Sequence, residues 1–404
     1  MIRLGAIGLG NRACKYLKYV EENPGLAELA AVAEPDVLRR TQIAERFRID
    51  PSFVFSSADD MLSADAGLDA VIIASPDSTH YSYSLQAIRK GYAVLLEKPV
   101  AASLHECIAL EKAASEHNVL VSVCYVLRFH PLYQRLKKIL AEGSLGRILS
   151  IRHIIHIGAD RMTHTFVRGL WSREEESSPI ILSKASHDID ILYWLTGQKA
   201  VNVSSAAKLK KFHADNAPEG SSARCADCAL EDKCPFSAVD LYLRRSEWNR
   251  GFDVFPGETA NDAVMRELLS GRYGRCVYRC GNNVPDSQTV DLVLESGATV
   301  HLEMDGCSMQ EGRETFVSCE NGEIYADSNG INVRSFSPDK VSYYDMSAYA
   351  GMPLHGGADT AVIADFIAAV SGKQKLAGAD IASAIHSHEV CFWAEKSRRG
   401  LSGI

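Results

Sequence analysis

Three polar residues of one predicted helix have side chains suited to moving a proton. Lys184, His187 and Asp190 follow one another at i, i+3 spacing in a stretch that Gly197 ends, so they share a helix face. Histidine exchanges a proton most readily near physiological pH. We therefore predict that His187 is a base, that Asp190 either orients it or only contributes to the helix, and that Lys184 acts as a second cation or, if desolvated, as a base. The alternatives are a histidine held in packing and a lysine that points to solvent.

A further cation, Lys98, follows an apolar run and precedes Pro99. The proline biases Lys98 towards an extended backbone, which directs its side chain out of a sheet. A base near neutral pH and a cation beside a developing alkoxide are what the oxidation of an alcohol requires. The plain alternative is a solvated lysine at the end of a strand.

Cysteines suggest a second chemistry, in the motif Cys225-x-x-Cys228-x5-Cys234-Pro235. Short spacing lets two sulfurs reach one ion, and a loop lets a third fold back. We predict a structural zinc site with Cys276 as the fourth ligand, ahead of Cys280 and His213. A [4Fe–4S] cluster is the alternative, because a proline after the last cysteine also suits iron–sulfur binding. Free reduced thiols remain the plain interpretation.

The N-terminus predicts a dinucleotide-binding loop. An apolar run over residues 2–7 meets Gly8-x-Gly10-x-x-Ala13 and then helical spacing. Gly8 permits a tight turn, Gly10 lets the backbone approach a pyrophosphate, and Ala13 lets the helix pack on the strand. The free N–H groups of that helix would face the phosphates.

An acidic pair ends the second apolar run. Glu34 and Asp36 lie where a carboxylate accepts hydrogen bonds from the adenosine ribose and repels a 2′-phosphate. The sequence therefore favours NAD over NADP, with Glu34 ahead of Asp36, which could simply cap the next helix. Arg39 and Arg40 keep NADP open.

The elements that must position these residues alternate between strand and helix over the first ~125 residues, which indicates a parallel sheet covered on both faces. We predict a doubly wound Rossmann domain over residues 1–125. A second α/β domain over 126–404 would contain a cysteine-bearing insertion at about 210–280 and C-terminal helices that return to the first domain. Alternating runs in this half predict several strands, two of them joined by Ser296-Gly297.

Several motifs together resemble the glucose–fructose oxidoreductase / inositol dehydrogenase (Gfo/Idh/MocA) family, as an atypical subgroup with a cysteine cluster. They lie in register along most of the chain, and the Glu-Lys-Pro motif is the most specific of them. They are Gly8-x-Gly10-Asn11-Arg12, Glu34, Ser75-Pro76-Asp77-x-x-His80, Glu97-Lys98-Pro99, Arg128-Phe129-x-Pro131, Leu145-Gly146-Arg147-Ile148 and Ser186-His187-Asp188-Ile189-Asp190.

The resemblance implies an open, mostly antiparallel sheet in the second domain and a homo-oligomer, either a dimer or a tetramer. It implies that Lys98 contacts the substrate oxygen. From the residues themselves, Tyr125, Arg128, Asp190 and His355 are candidates for substrate binding, although Arg128 could equally pair with a carboxylate. The resemblance assigns cofactor contacts to Gly8, Gly10, Asn11, Arg12, Glu34, Ser75, Pro76, Asp77, His80, Glu97 and Lys98. The chain departs from the family at Ser183 and Ala185, where sugar dehydrogenases usually carry aspartate and glycine.

We therefore expect an NAD-dependent oxidoreductase that acts on a hydroxyl of a sugar, cyclitol or sugar derivative. One alternative is glycoside cleavage by transient oxidation and elimination, and a second is a non-catalytic NAD-binding regulator.

Bulk composition excludes other classes. With 43 basic and 51 acidic residues the net charge is −8, which argues against a nucleic-acid partner. No apolar run is long enough to span a membrane and no signal peptide is evident. An odd number of cysteines, 11, favours a reducing cytoplasm over a disulfide framework.

Overall fold

The apolar runs of the first third of the chain form a parallel sheet, as their alternation with helical segments predicts. The computed structural model of the 404-residue chain describes residues 1–248, 252, 254, 258–336, 340–350 and 356–401. The first strands are β1 (Ile2–Ile7), β2 (Ala27–Ala33), β3 (Val54–Phe55), β4 (Ala70–Ile73), β5 (Ala93–Leu96) and β6 (Val121–Val123). The helices among them are α1 (Asn11–Glu22), α2 (Val37–Phe47), α3 (Ala58–Ser63), α4 (His80–Arg89) and α5 (Leu104–Glu116).

These strands lie in the order β3-β2-β1-β4-β5-β6, all parallel. All four residues of β4 are fully buried, as expected for a strand covered on both faces. The order reverses between β1 and β4, so a crevice opens at the carboxyl ends of these two strands. The glycine loop follows β1 at this crevice.

The rest of the chain forms a second, larger sheet with helices on one face. Its elements are α6 (Pro131–Ala141), β7 (Ile148–His156), α7 (Ser186–Thr196), β8 (Ala200–Lys208), α8 (Ala260–Leu269), β9 (Ser287–Leu294), β10 (Thr299–Asp305), β11 (Gly312–Cys319), β12 (Gly322–Ala326), β13 (Gly330–Ser335), β14 (Val341–Asp345), α9 (Ala358–Val370), β15 (Ala379–Asp380) and α10 (Ile381–Arg398). Three π-helical segments occur among the described residues: Met162–Arg168, Ile181–Ala185 and Asp240–Arg244.

The second sheet has the order β14-β13-β12-β11-β7-β10-β9-β8. Only the β7–β10 pair is parallel. The β9–β10 hairpin turns at Gly297 with φ +85°, as the Ser296-Gly297 pair predicts. The predicted fold class, a Rossmann sheet followed by an α/β unit with a mostly antiparallel sheet, is therefore confirmed.

The C-terminal elements return to the first sheet. Strand β15 pairs antiparallel with β6 at its edge. Phe366 of α9 packs in one cluster with Leu4 of β1. Helix α10 contributes Ile385 to the first sheet's core and Val390 to the second sheet's core.

Four elements of the second half, α6, β8, α8 and β15, lie outside our sequence predictions. Strand β8 has the sequence Ala-Val-Asn-Val-Ser-Ser-Ala-Ala-Lys. It lacks the large alternating apolar residues that indicate a strand. Helix α8 lies in the insertion between β8 and β9. No helix among the described residues is both long enough and apolar enough to cross a membrane.

Candidate functional site

The glycine loop after β1 has the geometry that a pyrophosphate needs. Gly8 has φ +80°, and a Cβ there would lie 2.8 Å from the Ala74 carbonyl and the Ser75 N–H. A side chain at this position would therefore strain the backbone and collide with the end of β4. Gly10 caps α1 without a side-chain hydrogen bond, and a Cβ on it would meet nothing within 4 Å. There is thus room beside Gly10 at the N-terminus of α1, where the first N–H groups lack intrahelical acceptors and an anion is favoured.

The two acidic residues at the end of β2, Glu34 and Asp36, make different contacts. The Glu34 carboxylate accepts the Leu9 N–H of the glycine loop at 2.7 Å and the Asp36 N–H at 3.0 Å. Asp36 caps α2 by accepting the Arg39 N–H at 2.8 Å. Glu34 therefore lies beside the glycine loop, and Asp36 has the capping role. Arg40 donates to the carbonyls of Glu34 and Pro35.

Arg12 and Glu97, both predicted cofactor ligands, bind other protein groups instead. Arg12 donates to Glu97 at 2.6 Å and pairs with Asp359 at 2.8 Å, while the Tyr16 hydroxyl also donates to Glu97 at 2.5 Å. Burial would raise the pKa of Glu97, but Arg12 and Tyr16 outweigh it and the pKa is lowered. This cluster ties α1, the end of β5 and α9 together, and a contact of either charge with the cofactor stays a prediction.

The segment after β4 also has mainly internal partners. Asp77 accepts the Trp171 indole N–H at 3.2 Å and the Ser178 hydroxyl at 3.0 Å, so it joins the first sheet to the 159–178 segment. The His80 ring nitrogens lie 2.6 Å from the Pro99 carbonyl and 2.9 Å from the Ser75 carbonyl. Asp77 and His80 therefore fix the crevice wall, and Ser75 and Pro76 remain at its rim.

Lys98 reaches across to the second half of the chain. Its ammonium donates to the Ser183 carbonyl at 2.5 Å, four residues before His187. Burial lowers the pKa of Lys98, although Glu97 and Asp77 oppose the shift. The Lys98–Pro99 peptide bond is cis. The structure thus brings the predicted cation of β5 against the segment that carries the predicted base.

His187 lies in the first turn of α7, directly after the π-helical segment that contains Ser183. Its ring meets the Tyr125 ring edge-on, with centroids 5.6 Å apart. The Tyr125 hydroxyl lies 3.1 Å from Nδ1 of His388, whose Nε2 accepts the Val100 N–H at 2.8 Å. Burial lowers the pKa of His388 to about 4, so this ring is neutral. Sequence reasoning missed His388, because nothing in its spacing relates it to Tyr125.

Lys184 is a buried lysine whose pKa lies near neutral pH. Burial lowers its pKa to about 7, and Arg313 and Arg161 add to the shift. Asp188 opposes that shift. Burial would raise the pKa of Asp188, but Arg313 and the hydrogen bond from His153 (3.0 Å) outweigh it and hold the pKa well below its ordinary value. Arg313 and His153 come from strands β11 and β7, and sequence spacing gave no signal for either.

Arg128 and Asp190 form a bidentate pair, with nitrogen–oxygen distances of 2.8 and 2.7 Å. Both are almost fully buried, at 5% and 0% exposed. Burial raises the pKa of Asp190, with Arg128 opposing. The pair does not support our prediction that these residues bind substrate, nor that Asp190 orients His187. His355 lies outside the described residues.

The four cysteines of the predicted metal site line one cavity of about 190 Å³. Residues 223–225 and 274–276 pair through an Arg224–Arg275 bridge, which brings Cys225 and Cys276 to the same wall. In the part of the chain that the structure describes, no three His, Cys, Asp or Glu side chains are arranged to hold a metal ion. The structure therefore does not support a single structural zinc.

Comparison with known sequences finds a family match in both halves of the chain. Residues 2–125 match the oxidoreductase family with an NAD-binding Rossmann fold known as GFO_IDH_MocA, and residues 133–232 match the GFO/IDH/MocA C-terminal domain. Inositol 2-dehydrogenase 1 of Saccharopolyspora erythraea is 29% identical over 57% of this chain, and the match spans 62% of that relative's length. Inositol 2-dehydrogenase 4 of the same organism is 29% identical over 80% of this chain and 92% of its own.

A solved structure of similar fold is an oxidoreductase from Agrobacterium radiobacter in complex with NAD+, L-tartaric acid and magnesium. It covers 98% of this chain and 96% of its own with a TM-score of 0.71, at 16% identity. At that identity the likeness shows the shared two-sheet fold.

Proposed function

The chain belongs to the GFO/IDH/MocA oxidoreductase family, and from that premise we propose that it transfers a hydride between NAD and a hydroxyl-bearing carbon of a sugar, cyclitol or sugar derivative. The observation that carries the proposal is the contact between Lys98 and the Ser183 carbonyl. It joins the strand after the glycine-loop crevice to the segment that leads into His187. Relatives named inositol 2-dehydrogenase support the substrate class.

NAD, when bound, would accept the hydride. The residues that would hold it are Gly8, Gly10 and Asn11 at the start of α1, Glu34 at the end of β2, and the rim residues Ser75 and Pro76. They fit a dinucleotide because Gly10 leaves open space at the helix N-terminus and Glu34 is fixed to the loop by the Leu9 N–H.

Lys98 would donate to the substrate oxygen. An ammonium has three N–H donors, and Ser183 takes one of them. The remaining donors stabilise negative charge on the oxygen as its proton leaves. His187 would take that proton, and Lys184, with a pKa of about 7, would assist by holding a positive charge or accepting a proton near neutral pH.

The first test is a substrate screen with the full chain. Sugars, cyclitols, uronic acids and glycosides are incubated with NAD, and NADH absorbance and products are followed together. We expect NADH in equal amount with an oxidised product. Cleavage of a glycoside without net NADH would instead identify the redox-assisted lyase, and no turnover of any compound would contradict the proposal.

We also propose that the protein is a homo-oligomer, with the uncovered face of the second sheet as its contact. Helices cover one face of this sheet, while Arg152, Ile154 and Phe316 on the other face are partly or fully exposed. Light scattering after gel filtration would show a dimer or tetramer, and Ile154→Arg would shift it towards the monomer. A wild-type monomer at all concentrations would contradict this assembly.

A further inference from the structure

The described residues of 209–286, the insertion between β8 and β9, pack in two places. Phe212, Val277, Cys280 and Val284 join the core of the second sheet. A separate cluster contains six buried side chains, among them Leu241, Tyr242 and Leu268. All 11 cysteines of the chain are free of disulfides.

Four cysteines from distant parts of this insertion meet at one cavity. Cys225, Cys228 and Cys234 come from one loop, and Cys276 comes from beyond α8. The cavity measures about 190 Å³, larger than the ~150 Å³ that accommodates a benzene molecule. The same walls carry apolar side chains such as Leu230, Val277 and Tyr278. An apolar void of this size, bordered by four thiols, has room for more than one atom.

Two of the sulfurs already receive backbone hydrogen bonds. The N–H of Phe236 bonds to Cys234 and the N–H of Tyr278 bonds to Cys276, each from two residues further along the chain. Burial raises the pKa of both thiols, and these N–H donors oppose that shift.

A buried cation lies beside this cavity. Arg168 is 0% exposed and donates to the carbonyls of Arg275 at 2.8 Å and Phe236 at 2.7 Å. Its Nη2 lies 3.8 Å from the Cys225 sulfur, and its Nη1 has no hydrogen-bond partner among the described residues. Within the same residues no carboxylate pairs with Arg168. A buried guanidinium without a counter-charge is costly, so an anionic group bound in the cavity would pair with it favourably.

The arrangement of the thiols distinguishes the two kinds of metal site. A single zinc needs four sulfurs within ~2.3 Å of one point, and no such convergence exists among the described residues. A [4Fe–4S] cluster bonds one sulfur at each of its four irons and itself fills the space between them. Sulfurs on the walls of a void match the second case.

We propose that Cys225, Cys228, Cys234 and Cys276 bind a [4Fe–4S] cluster, with Arg168 as its buried counter-charge. The cluster joins the insertion to the segment 162–168, since Arg168 ends that segment. The cluster can be tested independently of the dehydrogenase activity, because the test measures the metal content of the protein.

The test is metal and sulfide analysis of the full chain, produced with iron and purified without oxygen. We expect about four irons and about four acid-labile sulfides per chain, with a broad visible absorption that dithionite bleaches. Cys228→Ser and Cys276→Ser should each lose most of the iron and that absorption. Cys307→Ser, which changes a half-buried cysteine outside the cavity, is the matched control and should retain both.

Far-UV circular dichroism of each variant separates loss of the cluster from loss of the fold. If Cys276→Ser does not fold, Cys228→Ser, at a half-buried loop position, gives the same reading. Arg168→Met should also lower the iron content. One zinc per chain without sulfide, a folded chain without any metal, or equal iron in Cys228→Ser and Cys307→Ser would each overturn the proposal.

Discussion

At the scale of single residues, the decisive group is Lys98, because it connects the carboxyl end of β5 with the segment before His187. Replacing it with methionine keeps the volume and removes the charge. We expect kcat/KM to fall by about 10²- to 10³-fold, the usual loss when one donor to a developing oxyanion is removed. The affinity for NAD, measured by fluorescence titration, should remain within a few-fold of wild type.

Lys112→Met is the control for this substitution. The Lys112 side chain is 75% exposed on α5 and pairs only with Glu116, so both its turnover and its NAD affinity should be unchanged. Equal loss of turnover and of NAD affinity in Lys98→Met would show that Lys98 belongs to cofactor binding instead.

Lys184 predicts a pH dependence of stability. Its folded pKa of about 7 lies below that of an unfolded lysine. The unfolded chain therefore binds more protons between those two values, and the stability that the wild type has relative to Lys184→Met rises with pH there. The slope is at most about 1.4 kcal/mol per pH unit between pH ~7 and ~10. Urea unfolding of both proteins measures it, and a constant difference across that range would contradict the low pKa.

Residue types could be predicted from sequence where the chemistry is local. Gly8 and Glu34 follow from a motif and its ~20-residue offset, and the structure places both at one loop. The partners of Arg12 and Arg128 could not be predicted, because Glu97 and Asp190 lie 85 and 62 residues away. Nothing in local spacing shows that a charge expected to bind a ligand is already paired with a distant carboxylate.

At the scale of elements, the turn between β1 and α1 is the most constrained. Gly8→Ala would place a Cβ 2.8 Å from the backbone at the end of β4, at φ +80°. We expect a loss of a few kcal/mol in the free energy of unfolding, roughly 1–3 kcal/mol from backbone strain, and a large loss of NAD affinity. The measurements are urea unfolding and NAD titration.

Gly25→Ala is the matched control for the turn, since a Cβ at Gly25 meets nothing within 4 Å and its φ is ordinary. It should leave both quantities nearly unchanged. An unaltered NAD affinity in Gly8→Ala would remove the glycine loop from the cofactor site.

Elements with a clear period were predictable, and irregular ones were not. Helices α2 and α10 are regular, and apolar spacing and capping residues indicate such helices from sequence. The segment 181–185 lies within the region that brings Lys98 and His187 together, yet it is π-helical. The wider π turn shifts later residues around the axis, so a uniform helical period misplaces the faces of Lys184, His187 and Asp190.

At the scale of the whole molecule, the division into a domain of residues 1–125 and a domain of 126–404 remains a prediction. Helix α10 has Ile385 in the core of the first sheet and Val390 in the core of the second. A helix shared in this way couples the two cores. This coupling cannot be predicted from the local sequence pattern.

This coupling predicts that both halves unfold together. The four tryptophans, Trp171, Trp194, Trp248 and Trp393, all follow residue 125, so their fluorescence reports on the second half, whereas circular dichroism reports on both. We expect the two urea transitions to coincide. A circular-dichroism transition that continues after the fluorescence change is complete would show that the Rossmann sheet stands without α10.

The central claim is that this chain removes a hydride from a carbon bearing a hydroxyl group and that Lys98 stabilises the oxygen on that carbon. The most direct measurement uses a substrate from the screen with deuterium on that carbon and follows the label by mass spectrometry. We predict that deuterium appears in NADH in equal amount with the oxidised product, and that Lys98→Met slows its appearance by at least about 10²-fold. NADH without the label, or a label transferred equally fast by Lys98→Met, would contradict the account.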